Sequence, residues 1–361
     1  MDDQTKFQFD GRITQRAAER NALLLATDDA RRIELEPRYM AQTAHLTCPA
    51  TVWKYVEGAV QRSRANLVML DLEDSIPEGD HRALAQGRSN VIRALNELDW
   101  GPRLRFFRPR GMRLDPGFED LAIVVAAAGR NLEGLVYPKI EGPDELRSLE
   151  QCLDELEQTH GLEPGRIKVE VLIESVQACQ RAHEIADVGR RLRGLIFGAF
   201  DYWADLGMPA EEYRPDHPLV NAARVRIVEA AAGIGVPAIA EMTLDYPTSD
   251  KTEQQRTQAL EQLRRDCELA RGLGFSGKWT GIPAQVDVVL EAFAPDQAAI
   301  ERALHEALEY RRANQSGRGA TMINGRMADR ATDRINRRLL RVALALGRLD
   351  PQQVRELGID D

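Results

Sequence analysis

Cysteine is scarce in this 361-residue chain, with four residues at Cys48, Cys152, Cys179 and Cys267. None belongs to a C-x-x-C pair, so zinc clusters and dithiol redox centres have no signature, and scattered thiols fit a reducing compartment. The six histidines (His45, His81, His160, His183, His217 and His305) include no H-x-x-x-H pair and no recognisable triad with Ser or Cys. That argues against a zinc hydrolase and against nucleophilic hydrolysis. No Walker-type phosphate loop is present, and no G-x-G-x-x-G follows the early apolar runs. No apolar stretch approaches the roughly 20 residues that span a bilayer. The N-terminus, MDDQTKFQFD, is polar and acidic, unlike a secretory leader, so a cytoplasmic location is expected. Aromatic residues are only 6%, and Trp53, Trp100, Trp203 and Trp279 read as core or loop anchors. Net charge is −9, which disfavours nucleic-acid or anionic-membrane binding through bulk charge.

What the chain does have is rhythm. Short apolar runs recur at 44–48, 66–72, 103–107, 134–138, 168–173, 194–198, 236–240 and 276–280. They are rich in Val, Ile, Leu and Phe, as strands buried on both faces are. Between them lie charged amphipathic stretches with helical spacing, such as 78–96, 144–158, 219–233 and 253–272. Strands alternating with helices predict an α/β fold with a parallel sheet, and about eight units predict a (β/α)₈ TIM barrel. An open doubly wound sheet is the alternative. The expected organisation is an N-terminal extension (1–43), a barrel (44–296) and a helical, Arg-rich C-terminal appendage (297–361) without further strands.

Barrel active sites form at the C-terminal ends of the strands. The polar residues there are Asp71, Glu73 and Asp74; Arg105 and Arg108; Lys139 and Glu141; Glu174; Asp201; Glu241; and Lys278 with Gln285. All are expected to converge on one mouth. Glu174 and Asp201, following adjacent strands, suit a hard cation such as Mg²⁺. Spacing alone leaves a second reading open, in which Glu174 caps the following helix and Asp201 starts a turn. Arg105 and Arg108 have the fork that grips carboxylates. Ion pairs with Asp115 or Glu119 are the alternative for them.

The same residues carry a family resemblance. VMLDLEDSIPEGD (68–80), FFRPRG (106–111), YPKIEGPDEL (137–146), VLIESVQA (171–178), GLIFGAFDYWADLG (194–207), GFSGKW (274–279) and NGRMADR (324–330) occur in an order that resembles the citrate lyase beta-subunit-like enzymes. That group includes the malyl-CoA, methylmalyl-CoA and citramalyl-CoA lyases of the HpcH/HpaI aldolase superfamily.

The resemblance implies a Mg²⁺- or Mn²⁺-dependent carbon–carbon lyase acting through a 2-oxo acid and an acyl-CoA, assembled as a trimer or hexamer. It implies Glu174 and Asp201 as metal ligands, with Glu73 and Asp74 behind them. Arg108 becomes the carboxylate- or enolate-binding residue, with Arg105 as fallback, and Lys139 the residue that orients the acids. It makes Asp329 a general acid/base, commonly delivered across a subunit boundary, whose pKa is expected to rise under a lid.

The chain departs from the family pattern at TCPAT (47–51), at GKWTGIPAQ (277–285), where Ile282 replaces a histidine, and at LDYPTSDKTEQQRT (244–257). These departures keep three rivals open: a CoA-independent class II pyruvate aldolase, a malate-synthase-like enzyme that also hydrolyses the thioester, and a non-catalytic binding barrel.

Overall fold

A computed structural model describes residues 33–113 and 117–359, together with six positions between 15 and 22. Most of the expected N-terminal extension lies outside the described residues. Eight parallel strands close into a barrel in simple sequence order. They are β1 (Ala44–Pro49), β2 (Leu67–Asp71), β3 (Leu104–Arg108), β4 (Gly134–Tyr137), β5 (Lys168–Ile173), β6 (Leu192–Phe197), β7 (Ala238–Ala240) and β8 (Gly277–Thr280). Almost every strand residue is buried, because side chains on one face fill the barrel and those on the other meet the helices.

The helices preceding and linking the strands are α1 (Pro37–Met40), α2 (Trp53–Arg62), α3 (His81–Glu97), α4 (Gly117–Ala128), α5 (Pro143–Thr159), α6 (Val176–Gln180), α7 (Ala182–Val188), α8 (Ala199–Asp205), α9 (Pro218–Ile234), α10 (Glu253–Gly272) and α11 (Pro283–Phe293). Their limits follow local chemistry. Asp80 accepts from the N–H groups of Arg82 and Ala83 to open α3. Thr252 and Gln255 form a capping box for α10. Gly235, at φ 82°, ends α9 in the left-handed conformation that glycine adopts without penalty.

Alternation along the strands decides which side chains reach the barrel interior. His45 on β1 and Glu170 on β5 belong to strands on opposite sides of the ring, yet their side chains come within 3.4 Å. Both therefore point inward, and so do Thr47, two residues beyond His45, and Glu174, four residues beyond Glu170. The His45–Glu170 pair is fully buried beneath the mouth. Burial pushes His45 down to about 3 and Glu170 up to about 8. Among the described residues, neither imidazole nitrogen and neither Glu170 oxygen has a hydrogen-bond partner of good geometry.

Beyond the barrel the chain forms α12 (Gln297–Gln315), α13 (Arg330–Ala345) and α14 (Pro351–Val354) around a separate apolar cluster that includes Ile300, Ala307, Leu340 and Val354. α13 also leans on α1, at the end of the barrel opposite the mouth. The sequence reading of this segment as strand-free needs correction. Thr321–Ile323 (β9) and Arg326–Ala328 (β10) form an antiparallel hairpin. Its turn is Asn324-Gly325, both with positive φ, and Asn-Gly is the pair that favours two-residue hairpin turns. Among the described residues, no helix is long and apolar enough to cross a membrane.

Candidate active site

The mouth is built outward from the ends of β2 to β6. Asp71 closes β2, and its carboxylate accepts from the N–H groups of Glu73 (3.0 Å) and Ser75 (3.1 Å). This turn fixes the acidic loop that follows. On the neighbouring strand Arg108, the register partner of Asp71, donates Nε to Oδ1 (2.6 Å) and Nη2 to Oδ2 (2.9 Å). This is the bidentate fork-to-carboxylate geometry. Burial works against the Asp71 charge, but Arg108 outweighs it and holds the carboxyl below its usual range. Arg108 also lies over the ring of Trp279, with the guanidinium carbon 5.5 Å from the centroid.

The third nitrogen of Arg108, Nη1, turns toward the acidic loop. It lies 3.0 Å from Glu73 Oε2, off the hydrogen-bonding direction, and 3.4 Å from Asp74 Oδ2. Burial pushes Glu73 up to about 7 even though Arg108 opposes the shift. Asp74 is also partly buried, yet Arg108 and Lys139 hold its carboxyl below the usual range.

Lys139, just beyond β4, binds three carboxylates at once. Its backbone N–H donates to Glu174 Oε1 (2.7 Å), and its Nζ donates to Glu73 Oε1 (2.6 Å) and Asp74 Oδ1 (2.8 Å). The backbone does this at φ 50°, a left-handed conformation that costs a non-glycine residue roughly 1–2 kcal/mol. Such strain clusters where geometry matters for function.

Glu174 follows β5 and is almost wholly buried. Burial raises its carboxyl well above the ordinary value, and the charges of Asp201 and Glu73 add to the shift. Helix capping there falls instead to Ser175, whose hydroxyl accepts from the N–H of Ala178. Asp201 sits in the first turn of α8, and it too is raised, by burial and then by Asp74. Gly198, between β6 and α8, makes room for Glu174. A Cβ at that position would lie 2.7 Å from Glu174 Oε2 and closer still to Glu174 Cβ.

Asp71, Glu73, Asp74, Glu174 and Asp201 thus share one mouth with, among the described residues, Arg108 and Lys139 as the cations that pair with them. Such an excess of partly desolvated carboxylates is the setting in which a divalent cation binds. The two residues that fit a hard cation are Glu174, whose Oε1 is used by Lys139 while Oε2 faces Gly198, and Asp201. Among the described residues no group of three His, Cys, Asp or Glu side chains stands at ligand spacing. Two protein carboxylates, with the other positions left to water and substrate, are a donor set that magnesium commonly uses.

Several sequence expectations need correction. Arg105, the fallback anion binder, faces outward near the opposite end of β3 and pairs with Glu133 (3.4 Å). Glu241, Lys278 and Gln285 do not converge on the mouth. Glu241 is gripped by the buried Arg224 of α9, and the Lys278 ammonium donates to the Glu241 carbonyl oxygen (2.6 Å), between barrel wall and helices. Lys278 is one residue out of phase with the inward-facing Trp279, whereas Glu241 lies just beyond β7 and Gln285 stands on α11. Glu141 stays at the rim, accepting from the Ser175 hydroxyl (2.8 Å).

Of the ion pairs considered for Arg108, that with Glu119 does not form, because Glu119 pairs with Arg88; Asp115 lies outside the described residues. Asp329 is the N-cap of α13. Its Oδ1 accepts from the N–H groups of Ala331 and Thr332, and these bonds, Thr332 foremost, hold its carboxyl below the usual range rather than above it. Trp279, read as a core anchor, is buried in the barrel core, and Arg108 lies over its ring. Its indole N–H donates to the Thr47 hydroxyl, which places it on the inward face of β8.

Comparison with known proteins places this geometry. Residues 54–280 match the family model described as HpcH/HpaI aldolase/citrate lyase. The L-malyl-CoA/beta-methylmalyl-CoA lyase of Cereibacter sphaeroides (strain ATCC 17025 / ATH 2.4.3) is 30% identical over 75% of this chain and 85% of its own. The malyl-CoA/beta-methylmalyl-CoA/citramalyl-CoA lyase of Chloroflexus aurantiacus is 26% identical over 80% of this chain and 84% of its own. In fold, the CitE protein of Mycobacterium tuberculosis in complex with magnesium, acetoacetate and coenzyme A superposes with a TM-score of 0.62. It is 24% identical, covering 84% of this chain and 99% of that one. The chain belongs to the HpcH/HpaI aldolase/citrate lyase family and is a carbon–carbon lyase.

Proposed function

We propose that this chain is a Mg²⁺-dependent lyase that cleaves or forms a 3-hydroxyacyl-CoA such as malyl-CoA or citramalyl-CoA, with a 2-oxo acid as the other fragment. The observation that carries this reading is the Glu174–Asp201 pair, two carboxylates destabilised by burial and by neighbouring acids at adjacent strand ends. The related malyl-CoA lyases support the choice of substrate class. Glu174 and Asp201 would hold Mg²⁺ (or Mn²⁺), which would supply Lewis acidity for the oxygen that becomes the carbonyl of the oxo acid.

In the cleavage direction the substrate hydroxyl gives up its proton to water and the carbon–carbon bond breaks. The electron pair passes to the thioester α-carbon as an enolate, which then takes up a proton. The work of the chain is to hold these atoms still and offset the charge. Arg108 Nη1, the donor of its fork with the longest contacts, faces the developing enolate oxygen. Lys139 fixes Glu174, Glu73 and Asp74 relative to one another. Asp329 supplies or removes the α-carbon proton. It uses only Oδ1 as a helix cap, leaving Oδ2 for proton transfer, and it acts on the mouth of a neighbouring copy in a homotrimer or hexamer.

The test is a cleavage assay on malyl-CoA and citramalyl-CoA with and without chelator, using wild type, Glu174→Gln and Asp329→Asn. Each variant alone falls by at least about 10²-fold. Mixed and reassembled, the two recover part of the activity if the sites are shared between copies. Turnover that ignores both the chelator and Glu174→Gln overturns the proposal. Turnover of pyruvate plus an aldehyde in place of acyl-CoA redirects it to a CoA-independent aldolase.

A further inference from the structure

The segment joining β7 to α10, residues 241–252, and the turn after β8 are two stretches where the sequence leaves the family pattern, and the structure joins them. Gln285 Oε1 accepts from the N–H of Gly281 (2.9 Å), and its Nε2 donates to the Thr243 carbonyl oxygen (3.2 Å). The Thr243 hydroxyl donates to Asp266 Oδ2 (2.6 Å), which ties the segment down to α10. Lys251 donates to the Asp245 carboxylate and to the Tyr246 carbonyl oxygen. Arg256 in turn donates to the Lys251 carbonyl oxygen (3.0 Å). The loop is therefore held in shape by its own contacts, and it presents one large side chain to its neighbour across the weld.

That side chain is Tyr246. Trp279 faces the barrel interior, since its indole N–H donates to the inward-facing Thr47 and Arg108 lies over its ring. Alternation puts Gly281 on the same inward register, one step nearer the mouth. A Cβ on Gly281 would fall 2.5 Å from the Tyr246 hydroxyl oxygen and 2.7 Å from its Cζ. The phenol thus fills the space that a side chain at position 281 would take, two residues beyond Trp279, over whose ring Arg108 lies. Among the described residues its hydroxyl has a single partner, the thioether of Met242 at 3.6 Å. A thioether is a weak acceptor, so the phenolic proton is available to an oxygen arriving in the mouth.

We infer that Tyr246 contacts the substrate of this lyase, donating its hydroxyl to the thioester-side oxygen that Arg108 also faces, and that Gly281 is the residue that admits it. This rests on the lyase reading above. A hydrogen bond made to an oxygen whose charge grows during the reaction strengthens in the transition state, so its loss appears mainly in kcat.

The experiment compares Tyr246→Phe and Gly281→Ala with wild type in steady-state cleavage of malyl-CoA and citramalyl-CoA. Thermal unfolding and calorimetric Mg²⁺ titration are run on the same preparations. The expected result for Tyr246→Phe is a fall in kcat of about 10- to 100-fold, with KM changed far less and with unfolding and Mg²⁺ affinity as in wild type. Gly281→Ala, which displaces the ring, lowers kcat as well, and in the Tyr246→Phe background it costs clearly less than it does alone. A Tyr246→Phe variant with wild-type kcat on both substrates, in a preparation whose wild type cleaves them, overturns the assignment of Tyr246 and leaves the lyase reading intact. A wild type that cleaves neither substrate removes both together.

Discussion

Gly198 offers a sharp test of how the mouth is held. Its φ is −99°, so the backbone there asks nothing special of glycine, and the need is purely for space. An added Cβ would sit 2.7 Å from Glu174 Oε2 and nearer still to Glu174 Cβ. Real Cβ contacts essentially never fall below 3.0 Å. A carboxylate oxygen can rotate away, but a Cβ cannot, so Gly198→Ala must part the ends of β5 and β6 by something near 1 Å. Overpacking of this kind costs about 1–3 kcal/mol, and a misplacement of that size at a reacting centre can cost about 10²-fold in rate.

Gly194→Ala, four residues earlier on β6, is the matched comparison. Its Cβ would meet the Oε1 of Glu170, at 2.9 Å, beneath the mouth rather than in it. Both variants should unfold at lower temperature than wild type. Only Gly198→Ala should also weaken Mg²⁺ binding by calorimetry and lower lyase turnover by about 10²-fold. If Gly198→Ala binds Mg²⁺ and turns over as well as Gly194→Ala does, Glu174 is not the residue whose position matters, and the assignment of the metal site fails with it.

Two further outcomes follow from the buried charges. Between about pH 3 and 6.5 the unfolded chain binds a proton that buried His45 refuses, so this residue makes stability rise with pH. Glu170 acts oppositely: its native proton is held from 4.5 up to about 8, so its contribution is complete below pH 4.5 and is lost as pH climbs to about 8. Denaturant titrations should therefore show wild type losing stability relative to Glu170→Gln between pH 4.5 and 8, and a pH-independent difference would refute the buried neutral acid. Lys139→Met removes the ammonium but keeps the N–H to Glu174; Glu73, already near 7, takes up a proton instead of staying an unpaired buried charge. The variant should fold with a midpoint close to wild type while turnover falls by roughly 10- to 100-fold, and a variant with full activity would show that the lysine bridge has no part in the reaction.

The barrel was legible because its strands are covered on both faces and write themselves as short continuous apolar runs. The acids after β2 and β5 were legible for the same reason, as each follows its run directly, and Asp201 follows β6 within the first turn of α8. What the sequence hid was phase. Arg105 and Arg108 differ by three positions and so point to opposite faces, and Lys278 beside Trp279 shows the same contrast in adjacent residues. A list of charges after strands cannot separate these without knowing which face is inward, and the marker was the buried His45 meeting Glu170 through the barrel. The hairpin of β9 and β10 was missed although Asn324-Gly325 announced it, because its flanking strands are only three residues long and its outer side chains, Met322 and Met327, stay exposed. Asp329 could not be placed from spacing at all, since its cap is local and its proposed partner is another copy of the chain.

The single lysine beyond β4 has a consequence for how this scaffold tolerates change. Its amide nitrogen and its ammonium are joined by one residue's own covalent frame, so the spacing between Glu174 and the Glu73–Asp74 loop is gauged by bond lengths rather than by packing. That makes the β4–α5 connection a fixed jig: one residue inserted or deleted there would swing either the amide or the ammonium off its partners. Length variation is better absorbed between α8 and α9, past Asp201, where residues 206–217 lead back to the helical layer. Grafting new specificity onto this barrel should begin there and leave the jig untouched.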